Sequence, residues 1–405
     1  MTRTPRSSRS ASRRADVAVV GGGVVGTACA LALAEAGLQV VLLEHAEPTP
    51  WDVARHDPRV YAFAPDNAAL LDRLGAWASI RSARAHPYRA MHVVDAAGGA
   101  PLRFEADAFA ERELGWIVEN GLLQDRLWAR LRDAGVQVRC PARVVGLERH
   151  DDHVVLALDD DLRVEAAVAI AADGGQSTLR TLAGIGVDAH DYGQRGIVAY
   201  VATERPHADT AWQVFLPTGP LAFLPVDPWP GAANVCSIVW TLPEAEAARV
   251  RALDDAAFGD AVARASRGLL GAVCPLTPRL AFPLRRQLAR TQADGRVLVL
   301  GDAAHTVHPL AGQGVNLGLR DVAALAESVA DARARRVAWD APHRLARWAR
   351  ARRSDNVASA HAFEAINRVF SNDAVLPTLL RGPLMGLAGR VPSLGRALWR
   401  HAAGR

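Results

Sequence analysis

The residues best suited to chemistry in this chain are an aspartate, Asp302, and the glycines that follow it, among them Gly312 and Gly314. They belong to the segment 301–316, which follows a short apolar segment and leads into a helical pattern. Aspartate accepts hydrogen bonds from hydroxyl groups, and glycine lets the backbone approach a flat ring closely. The free N–H groups of a helix start favour a phosphate or a negatively charged ring. The segment therefore predicts a binding site for a large polar cofactor.

A second group of glycines lies near the start of the sequence, after the apolar segment 17–20. Gly21 is expected to make a tight turn, Gly23 to admit the backbone to a pyrophosphate, and Gly26 to let a helix pack closely on a strand. The next apolar segment ends in Glu44, which is placed to accept hydrogen bonds from ribose hydroxyls. Because an acid at this point disfavours a 2′-phosphate, the unit predicts FAD or NAD rather than NADP.

These two groups of residues stand far apart in the sequence, yet one cofactor explains both. A dehydrogenase needs only the N-terminal unit, whereas FAD is longer and needs a second anchor for its ribityl chain and its ring. Asp302 and the glycine bend at 312–314 supply that anchor. The sequence therefore predicts FAD, held at both of its ends.

With these motifs the chain resembles the flavin-dependent aromatic hydroxylases of the p-hydroxybenzoate hydroxylase fold. Among them it is similar to the ubiquinone-biosynthesis hydroxylases, which act on polyprenylated phenols. The resemblance covers roughly residues 16–370, and the order His-Pro-x-Ala-Gly-Gln-Gly-x-Asn-x-Gly in the last block is specific to this subfamily. The blocks that carry it are 21–44, 172–180, the pair 191–194 and 219–225, and 301–316.

The resemblance implies which residues contact FAD. Arg59 and Gln124 would reach the middle of the cofactor, and Asp173 would position its turn near the pyrophosphate and a visiting nicotinamide nucleotide. Asp302 would bond the ribityl chain. The complete set, from the ADP half to the flavin ring, is Gly21, Gly23, Gly26, Glu44, Arg59, Gln124, Asp173, Asp302, Gly312, Gln313, Gly314, Val315 and Asn316. Candidates that line the flavin at the reaction centre are His308, Pro309 and Gln313, and the sequence identifies no protein acid or base.

The resemblance also implies an α/β fold with a Rossmann-like FAD-binding domain, an inserted β-sheet substrate domain and a C-terminal helical region. Apolar strands of the substrate domain are expected to form one wall over the flavin. The predicted FAD-binding domain takes in 16–90, 120–185 and 285–330, and the substrate domain takes in 91–119 and 186–284. Residues 1–15 are expected to form a disordered basic tail and 331–405 the helical region.

The implied activity is hydroxylation of the aromatic ring of a polyprenylated phenol in ubiquinone biosynthesis. NAD(P)H would reduce FAD, O2 would add to give a flavin C4a-hydroperoxide, and the phenol would attack its distal oxygen. Three alternatives stay open: a catabolic hydroxylase of a small soluble aromatic, a flavin reductase that acts on an isoprenoid, and a non-catalytic flavin-holding subunit of a quinone-biosynthesis complex. The sequence leaves the ring position, prenyl chain length, electron donor and oligomeric state open.

Composition excludes several other kinds of site. Half of the residues are hydrophobic and none is lysine, so the chain holds neither a P-loop lysine nor a Schiff-base lysine. The four cysteines are scattered without metal-ligand spacing. His305 and His308 lie three residues apart but have no third ligand nearby, so we expect His305 to fix its loop by hydrogen bonding. No metal site is predicted.

Basic charge is concentrated at the two ends of the sequence. Five arginines precede the first acid and five follow the last, which leaves 37 basic against 43 acidic residues between them. The net charge of +4 therefore does not indicate a nucleic-acid surface. The C-terminal arginines lie among apolar residues from 374 onward, which indicates either contact with a membrane surface or partner protein, or an ordinary terminal helix. The expected location is the cytoplasm, with peripheral attachment to the inner membrane as an option.

Overall fold

A computed structural model describes residues 14–96, 98, 101–307 and 314–370, with side chains up to residue 359. The strands, in chain order, are β1 (Ala15–Val20), β2 (Val40–Leu43), β3 (Val60–Phe63), β4 (Ala85–Tyr88), β5 (Ala90–Asp95), β6 (Leu102–Glu105), β7 (Gly115–Glu119), β8 (Gln137–Arg139), β9 (Val144–Arg149), β10 (Val154–Leu158), β11 (Arg163–Ala171), β12 (Val187–Thr203), β13 (Thr210–Leu216), β14 (Gly219–Val226), β15 (Val235–Pro243), β16 (Val273–Pro275), β17 (Leu280–Ala289), β18 (Ala293–Asp294), β19 (Val297–Val299) and β20 (His305–Thr306). The helices are α1 (Val24–Glu35), α2 (Pro65–Arg73), α3 (Trp77–Arg84), α4 (Asn120–Leu131), α5 (Thr178–Leu182), α6 (Glu244–Arg251), α7 (Asp255–Ala265), α8 (Gly314–Ala334) and α9 (Pro342–Phe370).

The first sheet has the order β18-β19-β11-β1-β2-β8, and its central strands run parallel. Its strands are apolar on both faces because helices α1, α4 and α8 cover one face while β9, β10 and α5 cover the other. Parallel strands end at the same edge of a sheet. This arrangement therefore brings together the segments that follow β1, β2, β11 and β19, which contain Gly21, Glu44, Asp173 and Asp302, respectively.

The second sheet has the order β20-β17-β12-β15-β14-β13-β5-β6, with β16 beside β12. Its pairings are antiparallel except for β13 with β5. Helices α6 and α7 pack on one face of it around Phe258 and Val262. The opposite face is turned towards the parallel sheet and towards a small third sheet, β3-β7-β4. The predicted α/β architecture with an added antiparallel sheet is confirmed.

The chain passes several times between the two large sheets. The parallel sheet uses strands between 15 and 43, 137 and 171, and 293 and 299. The second sheet uses strands between 90 and 105, between 187 and 289, and at 305–306. The strand β17 runs through residue 285, where the predicted domain boundary lies, so the exact division remains a prediction. Of the predicted C-terminal region, α9 is described to Phe370 and 371–405 lie outside the described residues, as do 1–13 of the predicted tail. Within the described part of the chain, no helix is long and apolar enough to cross a bilayer.

Candidate active site

The glycine turn after β1 has the geometry that its sequence predicts. Gly21 has a φ of +106°, a conformation that favours glycine, and its N–H donates to the Leu43 carbonyl at 2.9 Å. A Cβ on Gly26 would lie 1.9 Å from the carbonyl oxygen of Gly21, so only glycine lets α1 approach the turn this closely. A Cβ on Gly23 would meet no protein atom within 4 Å. Gly23 therefore faces open space, which leaves room for a ligand to lie against its backbone.

Glu44 joins this turn to the end of β2. Its Oε2 accepts a hydrogen bond from the Gly22 N–H, and its Oε1 accepts one from the His45 N–H at 2.7 Å. The side chain is largely buried yet lines the cavity at this edge of the sheet. Because each carboxylate oxygen has two lone pairs, Glu44 keeps the capacity to accept a ribose hydroxyl.

The carbonyl of Gly22 is held by three donors from neighbouring helices. Gln124 Nε2 and Thr27 Oγ1 donate to it at 3.0 Å each, and Trp128 Nε1 donates at 2.6 Å. Gln124 also lines the cavity. The residue predicted to reach the middle of the cofactor thus also fixes the glycine turn, and Trp128 is a support that the sequence did not reveal.

Arg59 lies at the rim of the same cavity, and its side chain is 67% exposed. Asp57 shapes its turn: one carboxylate oxygen accepts from the Arg59 N–H and the other from the Gly121 N–H, both at 2.9 Å. Asp57 therefore connects this turn to Gly121 in the first turn of α4 by hydrogen bonds. The Asp-Pro-Arg sequence is the signal that could have identified this turn in advance. An exposed guanidinium at this place can reach a pyrophosphate.

Asp173 lies where the chain leaves β11, and it lines the cavity. Its Oδ2 accepts from the N–H groups of Thr178 at 2.8 Å and Leu179 at 3.2 Å, so it caps the short helix α5. The buried Arg180 then donates to the carbonyls of Gly175 at 3.0 Å and Ala303 at 2.8 Å. Arg180 therefore joins the Asp-Gly turn to the Asp302 loop, a role that the sequence did not reveal.

Asp302 faces the cavity from the loop after β19. The surrounding protein desolvates its carboxyl and raises its pKa, and the charge of His305 opposes that shift. Gly301, at a φ of +58°, lets this loop approach α1, since a Cβ there would lie 3.0 Å from Val25 Cγ1. A Cβ on Gly318 would lie 2.7 Å from Val25 Cγ2, so Val25 holds the loop and α8 together.

The start of α8 places its predicted residues differently. Gly314 and Val315 line the cavity, whereas Asn316 is fully buried behind its wall. Its Oδ1 accepts from the Ala64 N–H at 3.1 Å and from Asn67 Nδ2 at 2.9 Å, and its Nδ2 donates to a carbonyl of β3 at 2.8 Å. Asn316 therefore fixes α8 to the third sheet. His308, Pro309, Gly312 and Gln313 lie outside the described residues.

A buried ionic network supports the loop from behind. Asp321 Oδ2 pairs with His305 Nε2 at 2.6 Å, and its Oδ1 accepts from Arg352 Nε at 2.8 Å and from Asn356 Nδ2 at 3.0 Å. Burial opposes ionisation of Asp321, yet the charges and hydrogen bonds of His305 and Arg352 hold the pKa of its carboxyl below its usual range. The prediction that His305 fixes its loop by hydrogen bonding is confirmed.

One further cluster lies apart from the cofactor loops. His86, His207 and Asp209 each bring one possible metal-ligand atom within 4.8 Å of the others. His86 is already paired through Nδ1 with Asp227 at 2.8 Å and through Nε2 with Asp209 at 3.1 Å. Hydrogen-bonded pairs therefore account for this cluster, which the sequence did not indicate.

The loops that follow β1, β2, β11 and β19 and the start of α8 surround one cavity of about 1290 Å³, which we call the cofactor cavity. The N-termini of α1 and α8 open into it. Among the described residues, the charged groups that line it lie at the edge of the parallel sheet and at the start of the third sheet. Four apolar side chains of the second sheet, Val198, Leu224, Val239 and Phe282, form a further wall. The open space at Gly23 and the start of α1 fit the pyrophosphate of FAD, the start of α8 fits its ring, and Asp302 fits its ribityl chain.

Comparison with known proteins agrees with this geometry. A family model described as an FAD binding domain matches residues 14–341. The chain belongs to this FAD-binding family. It is 39% identical over 397 residues to ubiquinone hydroxylase UbiL of Rhodospirillum rubrum, a match that covers 98% of this chain and 91% of the relative. It is 37% identical over 392 residues to 3-demethoxyubiquinol 3-hydroxylase of Escherichia coli, covering 96% and 98%, respectively.

A solved structure shares the fold of this flavoprotein. The p-nitrophenol 4-monooxygenase PnpA of Pseudomonas putida DLL-E4 superposes with a TM-score of 0.75 at 21% identity, covering 95% of this chain and 96% of the other. The predicted membership in the flavin-dependent hydroxylases, the fold and the cofactor FAD are confirmed. The individual FAD contacts remain predictions.

Proposed function

We propose that this flavoprotein hydroxylates the aromatic ring of a polyprenylated phenol in ubiquinone biosynthesis, using O2 and reducing equivalents of the NAD(P)H type. The named relatives, which match nearly the whole chain, are a ubiquinone hydroxylase and a demethoxyubiquinol hydroxylase. The observation that carries the proposal is the apolar wall of the cofactor cavity, formed by Val198, Leu224, Val239 and Phe282 of the second sheet.

This wall selects the kind of substrate. Four apolar side chains face the space beside Gly314 and Val315, where the ring of FAD is expected. Phe282 packs over Gly196, where a Cβ would lie 2.9 Å from the Phe282 ring, so a larger residue at 196 would displace the phenyl group. A neutral apolar aromatic is favoured on such a surface, whereas a carboxylate would be desolvated without a partner.

The protein contributes binding, orientation and exclusion of water. Bound FAD supplies the acceptance of hydride and the activation of O2. The apolar wall holds the phenol ring and keeps water from the reacting atoms. The backbone N–H groups at the start of α8 line the cofactor cavity, where they would stabilise negative charge on a bound flavin. Asp302 would accept hydrogen bonds from the hydroxyl groups of the ribityl chain.

A catabolic hydroxylase of a small soluble aromatic is the second candidate. Such substrates commonly carry a charged group that requires a cationic partner. Among the described residues of the second sheet that line the cofactor cavity, none is charged. The apolar wall therefore favours the prenylated phenol. The two remaining alternatives are distinguished from these hydroxylases by the product of the reaction. A reductase of an isoprenoid would incorporate no oxygen, and a non-catalytic subunit would form no product.

The test is oxidation of NAD(P)H by the purified, FAD-loaded protein. With a prenylated demethoxyquinol or phenol as substrate, we expect NAD(P)H oxidation to be stimulated at least tenfold and to yield one hydroxylated product per substrate, with one oxygen atom from O2. Ring position is then read from the product by mass spectrometry and NMR. Stimulation without incorporation of oxygen would indicate a reductase, and activity with 4-hydroxybenzoate alone would indicate the catabolic enzyme.

We also propose that the enzyme works at the cytoplasmic surface of the inner membrane, together with other quinone-biosynthesis proteins. Its proposed substrate is confined to the bilayer by its tail, and the sequence beyond Asp373 contains five arginines and no acid. Each arginine near anionic lipid adds about 1 kcal/mol to binding. That segment lies outside the described residues, so the support is compositional.

Vesicle flotation checks the membrane proposal. Replacing Arg381, Arg390, Arg396, Arg400 and Arg405 with glutamine should weaken binding to anionic vesicles at least tenfold, because each change removes one attractive charge. The matched control replaces five N-terminal arginines, Arg3, Arg6, Arg9, Arg13 and Arg14, and should change binding less than threefold. Equal losses in both variants would assign the effect to net charge alone.

A further inference from the structure

A second, smaller cavity adjoins the cofactor cavity and is not used by the proposed reaction. We call it the side cavity; its volume is about 270 Å³, and its walls include Val60, Ile117, Tyr200, Val226 and Trp229. Val60 of β3 lines both cavities. The two spaces are therefore separated by a single side chain at this point.

The face of the second sheet that forms the apolar wall of the cofactor cavity also lines the side cavity. On β12, β15 and β14, Val198 and Val239 are direct partners and line the cofactor cavity. Tyr200 and Leu224 occupy the next row along the same face, where both lie opposite Ser237 of β15. Leu224 lines the cofactor cavity and Tyr200 the side cavity, and Val226 follows one row further. Because successive rows on one face are roughly 6–7 Å apart, the residues that line the two cavities are neighbours on this face of the sheet.

The charged groups around the side cavity are paired with one another. Arg84 donates to the buried Glu119 at 2.9 Å, and His86 pairs with Asp227 at 2.8 Å. The Tyr200 hydroxyl donates to the Asp57 carbonyl at 2.9 Å. These contacts satisfy the polar groups within the protein, so they leave the aliphatic and aromatic surfaces to face the space.

The outer end of the side cavity reaches the protein surface. The rings of His56 and Trp229 stack there, with centroids 3.7 Å apart and planes 19° apart. Pro228 and Pro230 flank Trp229, and the neighbouring Val53 is 66% exposed. Apolar side chains therefore extend from the wall of the cofactor cavity, past Val60, to the exposed Val53, while the charged groups beside them are paired within the protein.

We propose that the side cavity binds the first isoprene units of the substrate tail while the aromatic ring occupies the cofactor cavity. This inference rests on the proposed function. A volume of about 270 Å³ is too small for a complete polyprenyl tail, so the remainder leaves the protein between Val53 and Trp229. The enzyme would then recognise the ring together with the start of the tail, whatever the total tail length.

The first test compares two substrates that differ only in the tail, one with a methyl group and one with two isoprene units at the same ring carbon. Each buried methylene is worth roughly a fourfold change in binding, so the parent enzyme should show a much higher kcat/KM for the prenylated substrate. Val226→Phe fills the side cavity without facing the cofactor cavity. We expect it to lower the ratio of the two kcat/KM values at least tenfold.

A matched control separates this effect from general crowding of the sheet. Val214→Phe makes the same change at a buried valine of β13 that lines neither cavity, and it should leave the ratio within twofold of the parent. Flavin content is measured for all three proteins so that ratios are compared only between loaded enzymes. An unchanged ratio in Val226→Phe would overturn the inference.

A second measurement avoids substitutions altogether. A prenylated phenol that carries a diazirine on its first isoprene unit is cross-linked to the parent holoenzyme, and the labelled peptides are identified by mass spectrometry. Label in 53–60 or 226–231 supports the side cavity, and label confined to other segments contradicts it. If the parent hydroxylates neither substrate, the proposed function fails, which is a different result from hydroxylation of both with no preference for the tail.

Discussion

Replacing Asp321 with alanine should lower the free energy of unfolding by about 3–5 kcal/mol, the usual cost of removing one partner from a buried ion pair. The change removes the buried carboxylate that lies 2.8 Å from Arg352 Nε, so that this guanidinium keeps only the exposed Asp355 as a carboxylate partner, and it releases His305 on the cofactor loop. We therefore also expect weaker FAD retention. Urea denaturation of the apoprotein and the flavin content of the purified protein measure the two effects.

Asp355 provides the matched control, because it contacts the same arginine from the other side. Its carboxylate pairs with Arg352 Nη1 at 2.7 Å but is 66% exposed. Exposed pairs contribute little, so Asp355→Ala should cost less than about 1 kcal/mol. Similar losses in both variants would mean that burial of the Asp321 pair is not what stabilises the loop.

The pH dependence of this contribution follows from the sign of the shift. The pKa of Asp321 is lower in the folded protein than its usual value near 3.9, so the network adds stability above about pH 4 and loses it as the pH falls further. The difference in unfolding free energy between the parent and Asp321→Asn should therefore shrink as the pH falls below about 4. A difference that stays unchanged as the pH falls from 4 to 2 would contradict this assignment.

Gly26→Ala and Gly23→Ala should both weaken FAD binding, but only Gly26→Ala should lower the stability of the apoprotein, although each adds one methyl group to the same turn. At Gly26 the new Cβ would lie 1.9 Å from the Gly21 carbonyl oxygen, so the backbone must move and both stability and FAD binding are lost. We expect a loss of at least about 2–3 kcal/mol in unfolding free energy. At Gly23 the methyl group meets no protein atom but occupies space assigned to the cofactor, so the apoprotein keeps its stability while the Kd for FAD rises at least tenfold.

Thermal unfolding of both apoproteins and titration with FAD distinguish these outcomes. An FAD affinity equal to that of the parent in Gly23→Ala would argue that the pyrophosphate does not lie against this residue. An apoprotein of parental stability in Gly26→Ala would argue that the close contact between α1 and the turn is not required.

The features that the sequence predicts best in this chain depend on residues that lie close together in the sequence. The strands β1 and β2, the turn at Gly21 and the acid at Glu44 form one local unit, so their order alone fixes their geometry. The meeting of this unit with Asp302 also follows from elementary rules, because both lie after parallel strands.

The features that were missed depend on distant residues. Asp321 lies four residues from both Leu317 and Leu325 on α8, so a charge on that apolar stripe was a visible signal of a buried partner. Its partners Arg352 and Asn356, four residues apart on α9, could not be identified without the packing of the two helices. The orientation of Asn316 towards the third sheet depends on contacts between separate parts of the chain, which no local sequence pattern encodes. The same holds for the existence of the side cavity.

The order of strands in the parallel sheet has a consequence for biosynthesis. The strand β1 leaves the ribosome before its neighbour β11, which begins at residue 163, and long before β19, which begins at residue 297. Until β11 has emerged, the nascent chain can pair β1 with β2 alone, and the other edge of β1 stays exposed. The cofactor cavity also lacks Asp302 and the start of α8 until those segments have emerged. Flavin loading is therefore a late event, and chaperones can engage the exposed edge of the incomplete sheet in the interval.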